Sequence, residues 1–282
     1  MRNCCICENN KYIVDIFNRL SGPFSLSKCK KCDLIILNES DANADDFFKD
    51  AALDYDHNLV DDDKKRAIYW SFPKMYKKHK ELFDHFYLER IERLLKEFKN
   101  IKTIFDIGTG YGLWTKFCQD NGYNVEGIEL SKDPTDYCVN ELNLKVTNTD
   151  LMSFKFKKKY DVFTMCDVLE HLENPNLELQ KIRENMHKNS ILYLQVPDVI
   201  GLRIPSGYSL NLPHHLWQFN YKSLSKLLHK NGFKVIKRYS GIMGVTGYYE
   251  QNKVSFIDKI KWFIANKFYL GNRLIIMCKR IG

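Results

Sequence analysis

Ile104-Phe105-Asp106-Ile107-Gly108-Thr109-Gly110-Tyr111-Gly112 sets the reading of the whole chain. An apolar run suited to a buried strand enters it, a carboxylate sits inside the run, and glycines at alternate positions close it. Glycine is needed where φ is positive or where backbone must come within contact distance of a ligand, so this turn offers a surface of bare peptide. Leu113-Trp114-Thr115-Lys116-Phe117-Cys118 then begins an amphipathic helix. Taken alone, three glycines also fit an ordinary tight turn, and the residues that follow must decide.

Val125-Glu126-Gly127-Ile128-Glu129-Leu130 reads as a second strand that ends in a carboxylate, about twenty residues beyond the loop. An ionised carboxylate accepts hydrogen bonds and donates none, which suits a vicinal diol; the other reading of Glu129 is a helix-start residue ahead of Ser131. The glycine spacing is G-x-G-x-G and not the G-x-G-x-x-G of dinucleotide binders, with an acidic residue two positions before the first glycine. That combination resembles the first motif of class I S-adenosylmethionine-dependent methyltransferases. The resemblance implies an α/β fold, a Rossmann-like sheet of seven strands. It also implies that Asp106, Gly108, Thr109, Gly110 and Gly112 hold the methionine half of the cofactor, and Glu129 with Leu130 the ribose.

Downstream, strands and helices alternate, the signature of a parallel sheet covered on both faces. Asp136 to Asn143 reads as helix, Leu144 to Thr147 as strand, Tyr160 to Met165 as the fourth strand and Ser190 to Asp198 as the fifth. By resemblance Asp150-Leu151 meets the adenine amino group, although Asp150 also fits a turn or cap. Cys166-Asp167-Val168-Leu169-Glu170-His171-Leu172 resembles the D/E-V-L-E-H segment of small-molecule methyltransferases related to ubiquinone and sugar-modifying enzymes, with Asp167 facing the cofactor. It does not resemble the N/D-P-P-Y/F tetrapeptide that holds a flipped base, which weakens a nucleic-acid substrate. His171 is expected to begin a helix, as a cap or packing partner.

Val199 to Pro213 has no clear period and is expected to form the wall facing the acceptor. Pro213-His214-His215-Leu216-Trp217-Gln218-Phe219-Asn220 follows, entering a helix over Tyr221 to Lys230. An H-x-x-x-F segment occupies this place in the resembled enzymes; His215 lies four residues before Phe219 and is the candidate general base, with His214 beside it. In related sugar C-methyltransferases a glutamate precedes that histidine, and here His214 stands there instead. The paired histidines also fit a helix cap or a satisfied core. Phe233 to Ile236 and Leu274 to Cys278 are expected as an antiparallel pair at the sheet edge. Between them Val254 to Leu270 is an amphipathic helix read as a lid or core element, the rival reading being contact with a membrane or partner.

Cys4-x-x-Cys7 and Cys29-x-x-Cys32 flank a segment able to form a hairpin, and four thiolates delivered as two such knuckles suit tetrahedral zinc. So short a module buries little core, and a metal would supply the missing stability. A redox role is disfavoured because no thioredoxin-like pattern surrounds either pair; Cys5 competes with Cys4 as ligand, but only Cys4 has the two-residue spacing to Cys7. The domains read as a ribbon over 1–40, a linker and helical cap over 41–100, and a cofactor-binding domain over 101–282. The linker includes Tyr55 and His57, and the cap is marked by Ile68, Phe72, Met75, His79, Leu82, Phe86, Ile91, Leu94, Leu95 and Phe98.

The 282 residues allow one substantial core and a small module. No run is apolar and long enough to cross a bilayer and Met1-Arg2-Asn3-Cys4 lacks the start of a secretory signal, so a cytoplasmic location is expected. The nine cysteines are then read as metal ligands or core residues and not as disulfides. The net charge of +8 comes from dispersed lysine, which reads as a solvated surface more readily than as a field for a phosphate-bearing partner. The expected activity is S-adenosylmethionine-dependent methyl transfer to a small acceptor, a hydroxyl of a sugar or nucleotide-linked sugar, with zinc in the ribbon. Three alternatives stand beside it: a sugar C-methyltransferase, an RNA base methyltransferase whose ribbon grips RNA, and a non-catalytic scaffold. Oligomeric state is not readable.

Overall fold

The computed structural model describes residues 2–8, 10–16, 24–38, 73, 77, 80–198, 200, 202–204, 210–241 and 256–282. Tyr55 and His57 of the expected linker lie outside these residues, as do Ile68, Phe72, Met75 and His79 of the helical stripe and Val199, Gly201 and 205–209 of the expected wall.

In chain order the strands and helices are β1 (Ile13–Ile16), β2 (Leu26–Cys29), β3 (Ile35–Leu37), α1 (Lys80–Glu97), β4 (Thr103–Ile107), α2 (Leu113–Asp120), β5 (Asn124–Glu129), α3 (Lys132–Asp136), β6 (Val146–Asn148) and β7 (Tyr160–Cys166). They continue with α4 (Pro175–Glu184), β8 (Met186–Pro197), β9 (Trp217–Gln218), α5 (Tyr221–Lys230), β10 (Phe233–Gly241), α6 (Phe256–Phe268) and β11 (Arg273–Arg280). Seven of these strands form one sheet, ordered β10-β11-β8-β7-β4-β5-β6, and β1-β2-β3-β9 form another. The chain divides into two compact units, one of Met1–Ala42, Met165–Val245 and Phe256–Gly282, the other of Asn43–Thr164 with Thr246–Ser255.

In the second unit β4, β5 and β6 run parallel. Burial on both faces explains why β4 reads as an apolar run interrupted only by Asp106: every residue of it but Thr103 is buried. Phe105 is the hub of an aromatic core, with Phe154, Phe156 and Tyr160 at centroid separations of 5.0, 4.8 and 5.0 Å. α1 buries Phe83, Tyr87, Ile91 and Leu94 along one face, and Tyr87 packs on Trp114 and Phe117 of α2. The helix expected over 136–143 begins earlier, as α3, and continues as a π-helical turn over Tyr137–Glu141.

In the first unit β8 pairs antiparallel with β11, and β11 with β10, the edge pair that the pattern predicts. β10 runs past the expected Ile236 because β11 supplies ladder partners as far as Gly241, opposite Arg273. His171 closes a 3₁₀ turn over Leu169–His171 instead of opening a helix. The next helix, α4, waits for the pre-set φ of Pro175 at its first position and the Asn174 side chain as its cap.

The amino-terminal strands are not a separate bead in this unit. β3 pairs antiparallel with β9, placing Ile35 opposite Gln218 and Ile36 opposite Trp217. α5 buries Leu224, Leu227 and Leu228, and a reciprocal capping box of Asn220 and Ser223 starts it. The outer face of that start reaches the ribbon: Asn220 Nδ2 donates to the carbonyl of Asp33 at 3.1 Å, and Lys226 Nζ to that of Lys31 at 2.8 Å. α6 departs from the expected packing, since Phe256, Ile257, Ile260 and Phe263 are exposed and its inward side carries Ala265. No helix among the described residues is long and apolar enough to cross a membrane.

Candidate functional site

The glycine loop is built in the second unit from the end of β4. Gly108, Gly110 and Gly112 have φ of 72°, 52° and 71°, the left-handed region that a Cβ disfavours. Gly108 and Thr109 both donate their backbone N–H to the carbonyl of Ile128, at 2.9 and 3.1 Å, so the loop is hung on the end of β5. Thr109 is buried beneath the loop. Gly112 caps α2 and cannot take a side chain, because a Cβ there would lie 2.6 Å from Cys138 Sγ. Gly110 is different: a Cβ built on it meets nothing within 4 Å, so bare backbone faces open space at this point.

Glu129 closes the other side of the loop. Its Oε2 accepts from the backbone N–H of Gly110 at 2.8 Å and its Oε1 from that of Ser131 at 2.9 Å. Burial pushes this carboxyl above the usual range, opposed by those two N–H groups. Each oxygen retains a second lone pair for a further donor. Leu130 is exposed beside it, its carbonyl held by Asn148 Nδ2 at 2.8 Å. Asp106 lies beneath the loop and does not line its surface. It is 4% exposed, with Oδ1 accepting from Thr164 Oγ1 at 2.6 Å and Oδ2 from Thr115 Oγ1 at 2.8 Å. Its carboxyl is raised by burial against the pull of those hydroxyls. The segment carrying Asp150 and Leu151 is joined to Glu129, whose carbonyl accepts from Thr149 N at 3.0 Å. Asp150 is exposed and both its oxygens accept from Ser153, which lowers its carboxyl; Leu151 is buried.

In the first unit, the 3₁₀ turn Leu169–His171 and the stretch His214–Trp217 are laced together. Leu216 N donates to the carbonyl of Glu170 at 2.9 Å, Trp217 Nε1 to that of Leu172 at 2.7 Å, and His171 Nδ1 to that of His214 at 3.0 Å. This brings Glu170 to His215, Oε1 to Nε2, at 3.8 Å, with the His171 ring edge-on to the His215 ring at 4.7 Å. Burial drives the Glu170 carboxyl well above its ordinary value and holds His215 well below its own; it also pushes His171 down to about 4. In each case burial disfavours the charged form. His214 is half-buried and contributes its carbonyl to the lacing. Asp167, at φ 55°, accepts from Gln195 Nε2 at 2.6 Å and pairs with Arg273 Nε at 2.9 Å.

The same unit gathers Cys4, Cys7, Cys29 and Cys32, whose sulfurs all lie within 4.8 Å of one another. Cys4 Sγ is 3.5 Å from Cys32 Sγ, and Cys29 Sγ is 3.8 Å from Cys7 Sγ. Four sulfurs about 2.3 Å from a central zinc stand about 3.8 Å apart, so the set fits a tetrahedral ion. The Cys32 thiol, with the backbone N–H of Cys7 at 3.4 Å, pulls the Cys4 thiol down to about 5. Cys5 is outside the cluster; its carbonyl accepts from Asn176 and Lys230.

Sequence reading missed Glu170 and Arg273 as members of one cluster with the histidines. Glu170 stood inside the L-E-H motif, but nothing in its spacing pointed to His215. Thr115 and Thr164, the braces of Asp106, carry no motif at all.

Residues 76–238, more than half of the chain, match the methyltransferase-domain family. The chain is 25% identical over 171 residues to the (S)-tetrahydroprotoberberine N-methyltransferase of Eschscholzia californica, covering 57% of this chain and 45% of that protein. It is 30% identical over 106 residues to a ubiquinone biosynthesis O-methyltransferase of Pelagibacter ubique, covering 35% of this chain and 43% of that one. It thus spans under half the length of either relative. In fold it is similar to an S-adenosylmethionine-dependent methyltransferase from Clostridium acetobutylicum, at TM-score 0.53 and 11% identity over 78% of this chain and 98% of that one. It is also similar to magnesium protoporphyrin IX methyltransferase from Synechocystis with bound SAH, at TM-score 0.52 and 16% identity over 84% and 95%. Strand order, glycine loop and family match agree: the chain belongs to the methyltransferase-domain family.

Proposed function

We propose that this protein is an S-adenosylmethionine-dependent methyltransferase acting on a small-molecule acceptor, a hydroxyl of a sugar or nucleotide-linked sugar. The observation that carries the cofactor reading is the loop at Gly110, where backbone at positive φ faces open space and is tied to the carboxylate of Glu129. Gly108 to Gly112 would take the methionine half and Glu129, through its remaining lone pairs, the ribose hydroxyls. Asp106 would act from below, holding the loop through Thr115 and Thr164. Leu130 would lie beside Glu129 on the ribose side, Asp150 and Leu151 are the proposed adenine side, and Asp167 a further cofactor contact.

S-adenosylmethionine, when bound, supplies a methyl group on a positively charged sulfur. What remains to the protein is alignment, which contributes about 7–11 kcal/mol in well-oriented reactions, and removal of the acceptor's proton. His215 is the proposed base, with His214 the alternative; burial keeps the His215 imidazole unprotonated before the reaction, at a cost to its basicity. The sugar class of the acceptor rests on the order of the ribbon, glycine loop, L-E-H turn and H-x-x-x-F segment. Cys4, Cys7, Cys29 and Cys32 are proposed to hold one structural zinc, which would stabilise the ribbon of residues 1–40; the cap over 41–100, the cofactor domain over 101–282 and a cytoplasmic location complete the reading.

Calorimetry with S-adenosylmethionine tests the cofactor, and mass spectrometry of an acceptor pool incubated with methyl-labelled cofactor tests the acceptor. Binding with label recovered on a sugar hydroxyl is expected; no binding would overturn the cofactor reading, and label on RNA or on carbon would overturn the acceptor. His215→Ala should lower turnover at least tenfold and leave cofactor affinity unchanged.

A further inference from the structure

We propose that Glu170, His171 and His215 form a binding site for a divalent first-row transition cation, separate from the cysteine cluster. Each offers one ligand atom, and the three atoms lie within 4.8 Å of one another. Two imidazoles with one carboxylate are a donor set for manganese, iron, cobalt or zinc, and not one that calcium or magnesium favours.

The feature that asks for a cation is Glu170. It is 1% exposed, and neither carboxylate oxygen has a hydrogen-bond partner among the described residues. A carboxyl taken so far out of water must either keep its proton or meet positive charge. Among the described residues no cation answers it directly: Arg273, which lowers the Glu170 carboxyl only from a distance, makes its ion pair with Asp167 at 2.9 Å. Asp167 also takes the Gln195 amide, so it balances Arg273 and leaves the charge of Glu170 to the cluster.

The hydrogen-bond partners of the two histidines set which ring nitrogen carries a lone pair. His171 Nδ1 faces a main-chain carbonyl, that of His214 at 3.0 Å, and a carbonyl only accepts. The proton is therefore on Nδ1 and the lone pair on Nε2, the arrangement by which a carbonyl fixes the tautomer of a metal-binding imidazole. His215 Nε2 stands 3.8 Å from Glu170 Oε1, too far for a hydrogen bond and close enough for two bonds of about 2.1 Å to meet at one ion. Asn211 Nδ2 touches the same nitrogen at 3.1 Å, and an ion there would displace that contact. The lacing of the 3₁₀ turn to the His214–Trp217 stretch keeps all three side chains on rigid backbone.

The site goes beyond the methyl-transfer reading and does not depend on it. With a cation bound, His215 is a ligand and cannot be the base, and that role would pass to His214, the alternative already named.

The test is a titration of the full, zinc-loaded chain with Mn2+, which thiolates bind poorly, followed by the electron paramagnetic resonance signal of the free ion. The wild type should remove one equivalent of Mn2+ per chain. Glu170→Gln and His215→Gln should each weaken that binding at least tenfold, with the unfolding temperature recorded alongside. On the wild type alone, pulsed resonance should detect two coupled imidazole nitrogens, a readout that holds even if a variant misfolds. A free-ion signal undiminished by the wild type, Mn2+ bound without nitrogen coupling, or wild-type affinity in a folded Glu170→Gln would each overturn the site; the last result would mean that Glu170 is simply a buried protonated acid.

Discussion

The backbone N–H of Gly110 donates to Oε2 of Glu129 at 2.8 Å, so the most open point of the glycine loop is fastened to the end of the neighbouring strand. The second oxygen of the same carboxylate holds Ser131 N, which makes Glu129 a clasp on the backbone before it is anything else. Any ribose it takes must share a side chain already at work in the fold.

Glu129→Gln removes one of the two acceptors and leaves an N–H facing an amide donor, which should cost about 1–3 kcal/mol of stability and weaken S-adenosylmethionine binding at least tenfold. The pH dependence has a definite sign. Burial raises the folded carboxyl above its unfolded value, so the contribution of Glu129 is full below the unfolded value, about 4.3, and is lost as pH rises through the raised one. The stability difference between wild type and Glu129→Gln, from chemical denaturation at a series of pH values, should therefore shrink as pH rises through that window. A difference that grows would contradict the assignment.

Two glycines in the same region should lose stability for different reasons. At Gly127 a Cβ would fall 2.4 Å from Thr109 Cγ2 and 2.8 Å from the carbonyl oxygen of Asp106, so Gly127→Ala should destabilise the protein by about 1–3 kcal/mol through overpacking against backbone. At Gly110 the same methyl meets nothing, and Gly110→Ala should cost only the left-handed backbone penalty, about 1–2 kcal/mol. Gly110→Leu should fold and lose cofactor binding, because its side chain fills the open space; denaturation and calorimetry on the three variants separate these outcomes.

Removing zinc should loosen one place and spare another. If the four cysteines hold one zinc, as proposed, elemental analysis should find one equivalent per chain, and Cys29→Ser or a strong chelator should abolish it. Hydrogen exchange should then accelerate in β1, β2 and β3, while β4 and β5 keep their protection. Metal content unchanged in Cys29→Ser would argue against the tetrahedral set.

Asn220 has two duties, capping α5 through Ser223 N at 2.9 Å and holding the carbonyl of Asp33 at 3.1 Å. Asn220→Ala should cost about 0.5–2 kcal/mol for the cap alone. If the second bond ties the ribbon down, the variant should also speed exchange at Asp33 and its neighbours, and unchanged exchange there would confine the role of Asn220 to the helix.

Much of this architecture was readable from local pattern. Ile104 to Gly112 could be placed as strand, turn and helix start because a strand buried on both faces needs mostly apolar residues and a left-handed turn favours glycine, and both needs act within a few residues. The cysteine pairs and the start of α5 were readable for the same reason: each knuckle or cap is complete within four positions. What spacing could not supply was which distant segments meet. The pairing of β3 with β9, the seat of Glu170 against His215, the Arg273 partner of Asp167 and the hydroxyl braces of Asp106 all depend on where the chain returns after a long excursion. Such contacts are chosen by sheet order and by the burial they jointly achieve, quantities that belong to the folded chain as a whole and leave no period in the residues that make them.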